Sequence, residues 1–427
     1  MNEALRPSSR RAAKNPAVAH HGKLRKRSIG RTLAKVLGIG LSVALVSGGA
    51  VAAYAAWDLA STVKPTVSLG NEKVLEGVPD VGAMEGGVNL LLVGSDSRQG
   101  QGMAFGDPEE ETAVLNDVTM LMHISQDHSH VEVISFPRDM FIDVPACTDP
   151  EDPAGDPLDE LYGVKINSVL SHGGLGCVVK TVEELTGVTI PFAGTVQFNG
   201  VAAMSEAVGG VEVCVAEPIE DEYTGLFLEA GMHELSGMPA LQFLRTRHGV
   251  GDGSDLGRIS NQQVFMSSLA RKLQDSGTLG DPVALYSIAK AALANMELSD
   301  SLANPTTMVS IAKAMKDVDL DKIAFIQYPT GTTEGGVKPS DSAEIVNLAL
   351  QNDTPVVFDP TADDASFASA GDPNTVTVEA VPSEEVPAEE VPAEEVPAPT
   401  TGALPSDVTG QTAAETRCSA GRTLDDQ

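Results

Sequence analysis

Residues 88–98 read VNLLLVGSDSR, a short apolar run that stops at Gly94 and is followed at once by Ser95, Asp96, Ser97 and Arg98. The length and composition of the run suit a buried strand. Open α/β sheets carry their ligand-binding groups just beyond such strand ends. Two more apolar runs, 118–124 and 131–136, repeat the arrangement: Asp117 stands just before the first, and Pro137, Arg138 and Asp139 just after the second. If the three strands are neighbours, their ends gather carboxylates and guanidinium groups in one place. Few carboxylates suit Mg2+, which keeps waters and bridges to phosphate oxygens, and arginine forks match phosphate geometry. Taken singly, each piece also suits a hydrogen-bonded turn or a surface salt bridge. Their recurrence at successive strand ends points to metal and phosphate chemistry.

Further along the chain, helical and strand patterns alternate. Apolar residues fall at helical spacing over 177–185, and 201–208 predicts a short helix ended by Gly209 and Gly210. Residues 211–215 predict a strand. Ser236 is placed to cap a helix through Leu241 and Phe243, and a longer helix starts near Asp255 with Ile259, Met266, Leu269, Ala270 and Leu273 on one face. Helices over 285–296, 307–315 and 342–350 and a strand over 323–328 complete the pattern. The alternation argues for a three-layer α/β/α sandwich with a mixed central sheet.

A second cluster of charge lies at Arg245, Thr246, Arg247 and His248, followed by a glycine-rich loop and the run 255–263, DLGRISNQQ. Arg258 and Gln262 are four apart and share a face near the N-terminus of that helix, where free N–H groups favour an anion. No partner for His248 stands near it in sequence, so it reads as a loop histidine. His123, inside an apolar strand, reads as a core residue. No Ser-His-Asp order, nucleophile elbow, Walker loop or dinucleotide fingerprint is present.

The chain's two ends differ from the middle. Residues 36–57 form a 22-residue stretch without formal charge, enough at helical rise to cross a bilayer core. Ten lysines and arginines precede it against one acid, Glu3, which predicts a cytoplasmic N-terminus and an exterior domain. Ala53, Tyr54 and Ala55 have the spacing of a signal cleavage site, but the run is longer than the ~7–15 residues of a signal core, so the reading is an uncleaved anchor. From about Pro360 apolar periodicity stops, and the tandem repeats at 384–393 predict an extended, disordered acidic tail. The expected organisation is a basic cytoplasmic arm (1–35), a transmembrane helix (36–57), an extracellular stalk (58–87), a catalytic domain (88–358) and a tail (359–427). With 60 acids against 28 bases, a formal charge of -32, nucleic acid is not an expected partner. Cys147, Cys177, Cys214 and Cys418 lie on the exterior side, where oxidation is permitted. Cys147 ends an expected strand and Cys177 opens an expected helix, which favours that pair and leaves Cys214 with Cys418 or free.

Taken in order, residues 89–98 (NLLLVGSDSR), 116–121 (NDVTML), 135–139 (SFPRD), 165–168 (KINS), 209–211 (GGV), 245–248 (RTRH) and 255–263 resemble the successive signatures of the LytR-CpsA-Psr (LCP) family. The resemblance covers roughly residues 88–273. It implies a phosphotransferase that moves a glycopolymer from a polyprenyl pyrophosphate carrier to a peptidoglycan acceptor, needing no nucleotide. By the same resemblance, Asp96 and Asp117 hold Mg2+. Arg98, Arg138, Arg245, Arg247, Arg258 and Gln262 bind the pyrophosphate, and Lys165 supports the head-group region. The expected catalytic residues are Asp117, Arg138 and Asp139, with Asp139 and Asp117 the candidates to accept the hydroxyl proton beside a metal-bound water or a substrate phosphate. The chain departs from the family pattern at Leu115 and Asn261, where many members have arginine. The alternatives are a non-catalytic envelope regulator or anionic-glycan-binding protein, and a polyprenyl pyrophosphate hydrolase.

Overall fold

The computed structural model describes residues 29–75, 84, 86–103, 105–275, 278, 281–358 and 408–427. Two compact units divide the chain at Ala56 and Trp57. The described part of the first is helix α1 (Ile29–Thr62) as far as Ala56. Within that helix 33–62 has a mean hydropathy of 2.0, long and apolar enough to cross a membrane. Most of the basic arm lies outside the described residues.

The second unit is built on a seven-stranded mixed sheet. Its order is β11 (Met296–Leu298), β6 (Phe192–Val196), β1 (Val88–Ser95), β2 (Asn116–Ile124), β3 (Val131–Phe136), β12 (Ile323–Gln327) and β15 (Gly410–Thr412). The central strands β1, β2 and β3 pair antiparallel, and β6 and β12 flank them in parallel. Side chains alternate across this sheet. Leu91, Val93, Leu121, Ile134 and Ile326 enter a core on one face with α2 (Val169–Thr186) and α8 (Ser342–Gln351). Val88, Met120, Ile124, Val133 and Phe325 enter a second core with α6 (Pro282–Asn295) and α7 (Pro305–Lys316). Helices therefore cover both faces, as the alternation predicts.

A third core joins a small sheet, β10 (Gly231–Leu235), β7 (Val211–Val215) and β16 (Cys418–Ser419), to α4 (Met238–Arg245) and α5 (Asp255–Asp275). Helix α3 (Phe198–Ala207) lies beside α4 and α6. Three two-stranded ribbons, β4 (Phe141–Val144) with β5 (Leu161–Lys165), β8 (Ile219–Asp221) with β9 (Leu226–Leu228), and β13 (Thr330–Thr333) with β14 (Gly336–Pro339), decorate the domain.

Two expectations about boundaries change. The stretch read as a stalk over 58–87 is packed on the domain as far as Leu75: Leu59, Val63 and Leu75 join the second core, Asp58 pairs with Lys290, and Val67 bridges Ser299. Past Thr62, where α1 ends, its apolar residues lack a helical or strand period, so the sequence pattern does not reveal that they are buried. The expected tail over 359–427 likewise does not run to the end of the chain. Residues 359–407, which contain the repeats, lie outside the described residues. Residues 408–427 fold back, with β15 extending the central sheet at β12 and β16 pairing with β7. Both disulfides form, Cys147–Cys177 as expected and Cys214–Cys418 across a separation of 204 residues.

Candidate functional site

At the ends of β1 and β2 the pairing slips. Gly94 stands opposite Val118 and Ser95 opposite Asn116, so Asp117 has no residue across from it. It is the extra residue of a β-bulge, a device that re-aims one side chain out of the ladder. Gly94 permits the close approach: a Cβ there would lie 2.9 Å from Val118 Cβ. Asn116, fully buried, receives the Leu170 N–H and donates to Thr119, which fixes the strand start that carries Asp117.

The freed Asp117 carboxylate accepts from Arg138 Nη1 at 2.6 Å. Arg138 follows β3, and its own N–H donates to Asp255 Oδ2 at 3.1 Å. Asp255, first residue of α5, also pairs with Arg258 at 2.6 Å. Arg258 Nη2 then donates to the Asp117 carbonyl at 2.6 Å, closing a ring of four residues from β2, α5 and the turn after β3. Burial pulls the Arg138 guanidinium down, but Asp117, Asp255 and Asp139 outweigh it, so its proton is held more firmly than usual. Burial lowers the Arg258 guanidinium against the opposing pull of Asp255 and Asp117.

Arg245 and Arg247 reach the site by another route. The last turn of a helix leaves carbonyls without partners. In α4 the Asn261 amide donates to the Phe243 carbonyl at 2.6 Å and the Gln262 amide to the Leu244 carbonyl at 3.0 Å. Asp221, buried, then takes the Thr246 hydroxyl at 2.6 Å and the Arg247 N–H at 3.2 Å on one oxygen, and the Tyr223 and Thr224 N–H groups on the other. Burial pushes the Asp221 carboxyl up, and these donors overcome it and hold it below the ordinary carboxylate range. Arg245 lies 4.1 Å over the Phe198 ring, and burial lowers its guanidinium. Neither Arg245 nor Arg247 has a carboxylate partner among the described residues.

Asp117, Arg138, Asp221, Arg245, Arg247 and Arg258 all line one cavity of about 310 Å³. The lining combines a charged set, with His248 beside these residues, and an apolar set, Leu92, Val118, Met120, Val196, Val201 and Met266. The arrangement holds an anionic group against fixed positive charge while an attached chain lies on apolar surface. Gln262 lines the cavity as well, though its amide nitrogen is spent on α4, so it positions Arg245 as much as it meets a ligand.

Four expected residues stand differently. Arg98 pairs with Glu111 and does not line the cavity. Lys165 and Asp139 pair with each other at 2.7 Å beside Arg138, also outside the lining. Burial raises the Asp139 carboxyl, but Lys165 and Arg138 outweigh it and hold it below the usual range, a poor setting for a base. Asp96 is close to Asp117 without lining the cavity. Burial pushes its carboxyl up, the Leu115 N–H opposes this, and Asp117 adds repulsion. One oxygen of each aspartate is engaged, by Leu115 N at 2.7 Å and by Arg138 Nη1 at 2.6 Å, leaving the other without a hydrogen bond among the described residues. Two mutually repelling carboxylates with an oxygen each to spare suit a small divalent cation that completes its shell with phosphate and water. Asp221 and the hub role of Asp255 are not apparent from the sequence pattern. The turn-forming run after Asp221 and the cap position of Asp255 are the only signals.

A family model described as the LytR_cpsA_psr family matches residues 58–350. The cell wall biosynthesis protein LcpA of Corynebacterium glutamicum is 28% identical over 287 residues, covering 61% of this chain and 53% of LcpA. The match thus spans about half of that relative's length. A polyisoprenyl-teichoic acid–peptidoglycan teichoic acid transferase, TagT of Bacillus subtilis, is 24% identical over 77% of this chain and 96% of its own. Among solved structures, a LytR-Csp2A-Psr enzyme from Actinomyces oris is 21% identical, covering 62% of this chain and 90% of that one, with a TM-score of 0.48.

Proposed function

The chain belongs to the LytR_cpsA_psr family, and on that premise we propose that it is a membrane-anchored phosphotransferase working outside the cytoplasm, with its N-terminus inside. It moves a glycopolymer from a polyprenyl pyrophosphate carrier to peptidoglycan through a phosphodiester bond. The observation that carries this reading is the one cavity lined both by Arg245 and Arg247, two guanidinium groups without a carboxylate partner among the described residues, and by apolar side chains. A lipid pyrophosphate presents both faces at once, an anionic head and a hydrocarbon chain. The similarity to TagT, a polyisoprenyl-teichoic acid–peptidoglycan teichoic acid transferase, supports the same substrate class, and that to LcpA, a cell wall biosynthesis protein, the same setting.

A pyrophosphate diester resists a hydroxyl nucleophile until its oxygens are neutralised. Arg245 and Arg247 bind those oxygens, Arg138 and Arg258 extend the positive wall, and the Asp255 link keeps the two at a fixed spacing. Asp96 and Asp117 would hold Mg2+, which supplies further charge neutralisation at the phosphates when bound. The acceptor hydroxyl oxygen bonds to the glycan-side phosphorus, and the bridging P–O bond to the lipid phosphate breaks. The leaving polyprenyl phosphate keeps that electron pair and ends with the hydroxyl proton. No nucleotide is required, because the broken anhydride bond supplies the driving force. Purified full-length protein, given lipid-linked glycan and peptidoglycan, is expected to yield peptidoglycan carrying covalent glycan, and chelation of divalent metal is expected to stop it. Release of polyprenyl phosphate with no glycan joined to peptidoglycan would mean a hydrolase instead.

A further inference from the structure

A second and larger cavity, of about 910 Å³, adjoins the first, and Ser95 and Gln197 line both. Three pieces of chain that the sequence pattern leaves unassigned wall it. One is the segment 66–71, which was expected to be stalk. It is tied down by Val67 pairing with Ser299, by the Thr66 hydroxyl on Asp300, and by the Asn71 amide on Glu183 and the Ile190 carbonyl. The second is the loop 147–153, fastened to α2 by the Cys147–Cys177 disulfide. The third is the edge of the sheet at Thr195 and Glu297. Helix α2 breaks at Gly173 and Gly174 where it faces this space, with Gly174 at a φ of 66°. The walls are therefore fixed before any ligand arrives, which lowers the ordering cost of binding.

The lining has the opposite charge character to the first cavity. Lys180 is its one cation among the described residues, with one N–H on the Ala146 carbonyl, whereas Asp149, Glu183 and Glu297 bring three acidic side chains. An anion is repelled here. Hydroxyl groups of a ligand find acceptors, and the Gln197 amide makes no hydrogen bond among the described residues. Val114, Leu170, Pro150 and Pro153 offer aliphatic surface to C–H faces. Such a volume is within the usual range of ligand sites and holds more than one hexose.

We infer that this second cavity is a subsite for an uncharged, hydroxyl-rich glycan chain, which meets the phosphate site at Ser95 and Gln197. The inference builds on the reading of the first cavity as the phosphoryl-transfer centre. Glycan in this position belongs either to the acceptor, whose hydroxyl then enters the first cavity from this side, or to the sugars of the donor.

The test uses full-length protein in detergent and a β-1,4-linked N-acetylglucosamine tetrasaccharide, with binding read by calorimetry. Gly176→Phe puts a ring between α2 and the segment 66–71, since a Cβ at Gly176 lies 3.8 Å from the Ser68 carbonyl. Thr148→Trp fills the space from an exposed loop position and guards against misfolding of the first variant. Saturable binding to the native protein, weakened at least tenfold in both folded variants while both still bind a sugar-free polyprenyl pyrophosphate, is the expected result. A raised KM for a peptidoglycan fragment then assigns the site to the acceptor, and a raised KM for sugar-bearing donor alone assigns it to the donor. No saturable binding, or binding indifferent to both substitutions, overturns the inference. Tetrasaccharide binding that behaves as expected in a native protein inert toward the lipid pyrophosphate would count against the first cavity's reading and not the second's.

Discussion

Asp255 holds Arg138 and Arg258 together from the first turn of α5, and its side chain and that of Arg258 are 9% and 7% exposed. Removing one partner of a buried pair leaves a charge without compensation, which costs about 3–5 kcal/mol. Asp255→Ala should therefore lower unfolding stability by about 3 kcal/mol, and an unchanged urea midpoint would refute the hub. Arg138→Ala removes a positive group facing the phosphates and should cut turnover by about 10²–10³-fold, the usual scale for a transition-state donor. The Lys165–Asp139 pair has a different, acid-sensitive signature. The Asp139 carboxyl is depressed in the folded protein, so its contribution is complete above the ordinary carboxylate pKa of ~3.9 and disappears as pH falls through the folded value. Unfolding of Asp139→Asn and native protein should thus differ at pH 7 and converge in strong acid; a gap that stays constant would contradict the pairing. At this scale the sequence is a good guide to which residue types gather, because strand ends fix backbone position. It is a poor guide to direction. Arg98 turns to Glu111 and Lys165 to Asp139, since each long cation has an acid within reach that no spacing rule identifies.

The three strands first read from apolar runs form the centre of the sheet as expected, and the longer helices differ from expectation chiefly in their ends. What escapes the pattern is short or polar. β6 is five residues broken by Gly194, and β15 and β16 lie in a stretch with no period at all. Helix α5 is the instructive case: Ser260, Asn261, Gln262, Gln263 and Ser267 are buried on a helix expected to bury an apolar face. Partners explain this for three of them: Asn261 and Gln262 complete the last turn of α4, while Ser419 donates to Asn261 and Gln411 to Ser267 from the C-terminal segment. Asn261, one of the two departures from the family pattern, thus joins α4, α5 and β16. The same segment braces the loop behind Arg247, with Gly251 N–H on the Ala420 carbonyl at 2.9 Å and Arg422 N–H on the Gly249 carbonyl at 2.8 Å. Replacing Cys214 and Cys418 by serine should destabilise the domain by about 2–5 kcal/mol, the usual range for a lost native disulfide. It should also loosen the Arg247 loop, read as faster amide exchange over 247–253. Exchange unchanged there would show that hydrogen bonds alone hold the segment.

Across the whole molecule the layers do separate jobs. Two cores hold the sheet flat side to helices, a third core carries the arginine-bearing helices to its edge, and an apolar N-terminal helix long enough to cross a bilayer precedes the domain. The sandwich was legible in the alternation of apolar runs, and so was the approach of Asp117 to Arg138, because both flank strands that pair. The meeting of Arg245 and Arg247 with them was legible only through ordered motifs, since more than 100 residues separate the two groups and no local period spans that distance. The central claim is that one cavity takes both ends of a lipid pyrophosphate. A crystal structure of the protein with a short-chain polyprenyl pyrophosphate tests it most directly. The account predicts phosphates on Arg138, Arg245, Arg247 and Arg258, with the isoprenoid along Leu92, Met120, Val201 and Met266; density for the lipid anywhere else, with those four arginines untouched, would contradict it.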